Sequence, residues 1–223
     1  MLAIFKKEWL KTKYILITFF VVSLISLGHF IVSIDNIIEF TSPEQYINGI
    51  VYYEKFSFKS VLFINMFFAA LLGFYQYYKE RENGRLRLHL HLPYSYFRNI
   101  NVLVIFGIST LVAIFLIEYL LFLTFASSYL PTEVITTLSS KFFITFLISI
   151  AIYLSAPSYT IEPNKLKIIA SYILLTLVIL YEIDINSGFF SHEGVWIFFI
   201  WIIFFQLATL FLSFYRYTKG YIK

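Results

Sequence analysis

The sequence is organised around six apolar runs, at about 14–34, 59–78, 101–124, 137–156, 167–183 and 195–215. Each lies near the ~20 residues that a helix needs to cross the hydrocarbon of a bilayer. In hydrocarbon every backbone N–H and C=O must be satisfied within the protein, and a helix does this inside one segment. The runs therefore predict an all-α membrane protein with six transmembrane helices. Composition agrees, because 13% of the residues are charged against roughly 25% in a soluble domain. Too few polar groups are present to clothe a water-facing surface. No linker-like tract or internal repeat divides the chain, so residues 1–223 read as a single transmembrane domain.

The basic residues orient the spans. Lys6, Lys7, Lys11 and Lys13 precede the first run, and Lys79, Arg81, Arg85, Arg87 and Arg98 surround the second loop. Lys165 and Lys167 fall in the fourth loop, and Arg216, Lys219 and Lys223 in the tail. Fourteen of the 17 Lys and Arg thus lie on one side, leaving Lys55, Lys59 and Lys141 for the other. The positive-inside rule places the basic side, and with it both termini, in the cytoplasm. The opposite loops are acidic, with Asp35, Glu39, Glu44, Glu54, Glu133, Glu182, Asp184 and Glu193.

The opening segment has charges where a signal peptide would carry its apolar stretch, so it is expected to be retained. On a helix Leu2, Phe5 and Trp9 share one face and Lys7 and Lys11 lie opposite. That pattern predicts an amphipathic helix over residues 1–13 lying on the inner leaflet and leading into the first span. Trp9, Tyr14, Tyr77, Tyr78 and Trp196, near the span ends, fit anchoring in the headgroup region.

Polar residues inside the runs are few, and a polar group in hydrocarbon carries a cost that calls for a reason. Ser26, His29 and Ser33 form a stripe on the first span. Glu118 lies on the third, about 25 Å beyond Asn101 at ~1.5 Å per residue, in the outer third of the membrane. Ser26, His29 and Glu118 are expected to line a path, with His29 and Glu118 facing the interior at its exit as a pair; the alternative for Glu118 is snorkelling to the outer headgroups. Asn65, Gln76 and Gln206 fit packing and hydrogen bonding between helices.

The stretch ENGRLRLHLHLP, residues 82–93, breaks the pattern. Its strict alternation has the period of a half-buried strand, yet a lone strand between two spans has no partner for its backbone. As a helix, Leu86 and Leu90 share a face, as do Leu88 and Leu92, and Pro93 ends it. The helix is the preferred reading. His89-x-His91 invites a metal site, but arginines stand beside it and no carboxylate between Arg85 and Pro93 offsets a cation. The basic residues would also draw this loop to anionic lipid.

Glu82, Gly84 and Leu86, followed by Pro93 nine residues after the glycine and then Ser95, resemble the loop signature of type-two ABC exporter permeases. The position between spans two and three and the amino-terminal amphipathic helix match that family's layout. The match covers the whole chain in architecture and about fourteen residues in motif, and it departs at Arg85, where the family usually has threonine. The resemblance implies a cytoplasmic coupling helix, with Glu82, Gly84, Arg85, Leu86, Arg87, Leu90 and Pro93 contacting a separate ATPase. It also implies a second permease subunit, identical or related, and a place in the inner membrane of a prokaryote. ATP and Mg²⁺ would sit on the ATPase, with no cofactor or metal on this chain.

The sequence contains no phosphate-binding Gly-x-x-x-x-Gly-Lys-Ser/Thr loop and no His-Glu-x-x-His motif, so no enzymatic activity is expected of it. Gly107-Ile108-Ser109-Thr110 is the nearest approach to an intramembrane protease nucleophile. Cysteine is absent, which excludes thiolate chemistry. A nucleic-acid partner is not expected. The other functional reading is a membrane scaffold without transport, or a permease-like subunit of a cofactor or cytochrome maturation complex.

Overall fold

A computed structural model of the chain describes residues 2–40, 59–82, 96–162, 164, 166–169 and 195–218. They form five long helices: α1 (Leu2–Phe40), α2 (Lys59–Arg81), α3 (Tyr96–Tyr129), α4 (Thr132–Thr160) and α5 (Val195–Thr218). No strand occurs among the described residues. All five helices are long and apolar enough to cross a membrane, the character of a multi-pass helical membrane protein. The segment from Gly84 to Pro93 lies outside the described residues, as do 41–58 and 170–194, which include most of the fifth apolar run.

The helix expected over residues 1–13 is continuous with the first span in α1, which runs unbroken for 39 residues. At ~1.5 Å per residue that is roughly 58 Å, about twice the hydrocarbon thickness. No glycine or proline precedes Gly28, so nothing in the sequence bends the helix onto a membrane surface. Its lysine face is also partnered within the bundle, as described below. Phe5 packs edge-on against Phe106 of α3, with ring centroids 5.4 Å apart, while Trp9 stays half exposed.

α3 and α4 form an antiparallel hairpin whose turn is Leu130-Pro131. A residue before proline disfavours helical backbone, so α3 stops there, with Leu130 N–H still donating to Ala126 O at 2.8 Å. Pro131 is extended, at φ −63° and ψ 153°, and its carbonyl accepts from Val134 and Ile135 as α4 begins. Glu133 in the first turn suits the positive end of the helix dipole. α4 is the central helix, buried at nearly every position from Ile148 to Thr160. Gly73 of α2 lets it approach closely, since a Cβ there would stand 2.8 Å from that of Ala156 and 3.0 Å from the Tyr153 carbonyl.

Side-chain contacts fix the helix directions. The start of α1 meets the end of α2 through Lys7 and Glu80, and Arg81 Nη1 donates to Thr160 O at the end of α4, at 2.7 Å. Arg216, near the end of α5, meets Glu162, just past α4, at 3.1 Å. One end of the bundle, here called the basic end, therefore collects the start of α1 and the ends of α2, α4 and α5. α4 and α5 run parallel. Consistent with this, Phe199 and Ile202 pack with Ile144 and Ile148, whereas Leu210 and Phe214 pack in the core cluster that holds Tyr153 and Leu154.

Candidate functional site

A charged layer crosses the basic end. Glu80 Oε1 accepts from Lys7 Nζ and Lys11 Nζ, each at 2.9 Å. Lys11 Nζ also lies 2.8 and 2.7 Å from the two oxygens of Glu8 and donates to Gln76 O at 3.2 Å. Glu8 and Glu80 are buried, at 0% and 1% exposure. Removing such carboxylates from water is costly, and it is tolerated where ammonium groups and hydrogen bonds surround them. The lysine pair at a spacing of four, which reads in sequence as a headgroup-facing stripe, is turned toward α2 by these two acids.

A second group joins α4 to α5. Glu162 Oε2 accepts from Ser213 Oγ at 2.7 Å, and Oε1 accepts from Arg216. Two residues on, Asn164 Oδ1 accepts from Leu166 N–H at 3.0 Å, and Asn164 O accepts from Lys167 and Ile168 at 3.1 and 3.2 Å. Asn164 thus caps a new helical turn where the fifth apolar run begins.

Deeper in the bundle a neutral network ties three helices together. Tyr153 of α4 donates its hydroxyl to Gln76 Oε1 at 2.8 Å, and Gln76 Nε2 donates to Leu103 O of α3 at 3.1 Å. Tyr153 has one hydroxyl proton, so across the 3.3 Å contact with Tyr77 it is Tyr77 that donates. Tyr77 is fully buried, which corrects its assignment to the headgroup region; Tyr14 and Tyr78 are exposed. Gly107 makes the slot for this network, because a Cβ there would overlap the Tyr153 hydroxyl. That packing demand accounts for the glycine beside Ser109 and Thr110. Both of those hydroxyls donate to carbonyls of their own helix.

Toward the far end, Glu118 of α3 is 0% exposed and accepts from Asn65 Nδ2 of α2 at 2.8 Å. The hydroxyl of Ser23, on α1, adjoins the same carboxyl. The expected pairing of His29 with Glu118 is not formed. Glu118 points inward rather than toward the headgroups, while His29 faces outward and is exposed. Ser26 is buried and Ser33 bonds to the carbonyl of His29 on its own helix. The inward stripe of α1 is thus Ser23 and Ser26, one helical step from the stripe read in the sequence. Of the expected coupling residues, Glu82 is described: it is exposed and bonds to Lys79 at 3.0 Å, two residues beyond Glu80.

Sequence reasoning passed over Glu8, Glu80, Glu162 and Ser23. A signal for the first two exists, since each is an acid set among basic residues at a span end, in KKEWLK and YKERENGR. Ser23 precedes Ser26 by three, the spacing of helical neighbours. Among the described residues no group of three or more potential metal ligands comes together. Comparison with protein-family models, curated proteins and solved structures finds no match to this chain.

Proposed function

We propose that the chain is the permease subunit of a type-two ABC exporter, working with a second permease subunit and a cytoplasmic ATPase. The observation that supports this is the charged layer and its place in the chain. The pairs of Glu80 with Lys7 and Lys11 lie two residues before Glu82, where the family-like segment starts. A push on residues 82–95 would be delivered to the end of α2. It would pass through the buried ion pairs to α1, a helix of 39 residues. A helix that long is a stiff lever from one face of the membrane to the other.

The basic end is then the cytoplasmic face, as its lysines and arginines favour. The parallel course of α4 and α5 supports the sixth span of this reading. In this reading the apolar run 167–183 supplies the return crossing between Glu162 and Val195, and the cap at Asn164 suits a helix that starts there. In this reading ATP-driven closure of the motor displaces the coupling segment, and the spans rearrange around a central path.

The test is co-purification of a cytoplasmic ABC ATPase with this chain, at matched expression. Truncating well-packed interface anchors typically costs roughly 2 kcal/mol or more, whereas rim charges matter less. Leu86→Ala with Leu90→Ala is expected to release the ATPase from membranes, while His89→Ala with His91→Ala retains it. Retention by the leucine variant and loss by the histidine variant would reject coupling by this segment.

A further inference from the structure

The pair of Asn65 and Glu118 is half made. Asn65 Nδ2 donates to Glu118 Oε2 at 2.8 Å. The other oxygen of each group, Asn65 Oδ1 and Glu118 Oε1, is buried and has no hydrogen-bond partner among the described residues. Both residues are at most 1% exposed, and a buried acceptor left unsatisfied is costly. An amide oxygen and a carboxylate oxygen are both acceptors, so an ionised Glu118 cannot join them. A carboxylic acid can. An O–H on Oε1 would be a donor for Asn65 Oδ1, and that bond would close a two-bond ring with the one already present. One hydrogen then satisfies two orphaned atoms.

We propose that Glu118 and Asn65 form a membrane-embedded binding site for a single proton. The inference stands on the pair itself and does not depend on the exporter reading. The surrounding helices supply little charge. α1 brings the neutral hydroxyl of Ser23, which adjoins the carboxyl but gives its one proton to Phe20 O of its own helix at 3.0 Å, and, on its outer face, the exposed His29. α2 brings Asn65. α4 brings Lys141, buried at the depth where Tyr119 meets the rings of Phe142 and Phe143. Were Glu118 ionised, Lys141 is the cation on α4 that would be tested as its counter-ion.

Infrared spectroscopy of the full chain in lipid nanodiscs separates these states. The expected result is a carbonyl stretch from a protonated carboxyl that shifts on deuteration, disappears in Glu118→Gln, and is lost reversibly as pH is raised. In Asn65→Leu the band persists and moves to higher frequency, because its hydrogen bonds to the amide are gone; this variant keeps the test open if Glu118→Gln does not fold. Absence of the band in the wild-type chain, or its survival in Glu118→Gln, would overturn the proposal. So would a carboxylate signal that becomes an acid signal only in Lys141→Met. Loss of the band on adding sodium at constant pH would make this a metal-cation site instead.

Discussion

The two ends of the bundle handle buried carboxylates in opposite ways. At the basic end Glu8 and Glu80 are met by ammonium groups, Lys7 and Lys11, at 2.7–2.9 Å. Toward the far end the hydrogen-bond partner of Glu118 is an amide, Asn65, with a hydroxyl beside it. The surroundings differ in the same sense. Glu118 sits among apolar helices lined by Phe30, Phe115, Phe122 and Phe142, with rings of Phe115 and Phe142 4.3 Å apart. Lys7, by contrast, is about a third exposed, so the charged layer grades into a wet surface. A charge near the membrane edge can be kept by pairing it. A carboxyl deep in the bundle is most cheaply held as a neutral hydrogen-bonding group.

The sharpest way to break this comparison is the same substitution at both ends. Glu80→Gln leaves two lysines facing a neutral amide, and removing one partner of a buried ion pair costs roughly 3 kcal/mol. The expected result is a clear loss of stability in detergent-based unfolding, while Glu118→Gln stays close to wild type. Equal losses at the two positions would erase the distinction.

Between the two ends, the Tyr153 network is held by shape. Gly107→Ala places a methyl group where the Tyr153 hydroxyl stands. Overpacking of this kind costs about 1–3 kcal/mol. Tyr153→Leu in the same background, which removes both the ring edge and the hydroxyl that the methyl meets, should recover part of the loss, measured by thermal unfolding of the double variant. No recovery would mean that α3 and α4 clash elsewhere.

Asn65→Leu removes the amide from Glu118 without creating a charge. Hydrogen bonds between membrane helices average about 0.6 kcal/mol and reach about 1.7, so a loss within that range is expected by the same unfolding assay. A much larger loss would show that Glu118 is ionised after all. The smallest effect belongs to His29→Ala, which changes an outward-facing side chain and should stay within about 0.5 kcal/mol. A strong transport defect with normal expression would put His29 on a functional surface.

Much of the architecture was legible in the sequence because hydrocarbon is a severe solvent. Runs of about twenty apolar residues have few structures open to them, and five of the six runs are found within long helices. The turn at Leu130-Pro131 was likewise marked by its proline. What could not be read was which face of each helix meets which neighbour. The lysines of α1 look like headgroup contacts until α2 brings Glu80 to them. Tyr77 looks like an interfacial anchor until Tyr153 and Gln76 enclose it. Ser23 and His29 lie six residues apart on the same helix, yet one is fully buried and the other exposed.

Sequence by itself therefore determined that this chain is helical, that its runs suit a membrane, and where most of its polar breaks fall. Those properties depend on local composition and on backbone hydrogen bonds closed within each segment. Tertiary structure decided the partners of Glu8, Glu80, Glu118 and Glu162, the role of Gly107, and the parallel course of α4 and α5. Those depend on how the helices rotate and shift against one another. A rotation of 100° separates adjacent positions on a helix, so a small change in packing exchanges a lipid-facing residue for a buried one.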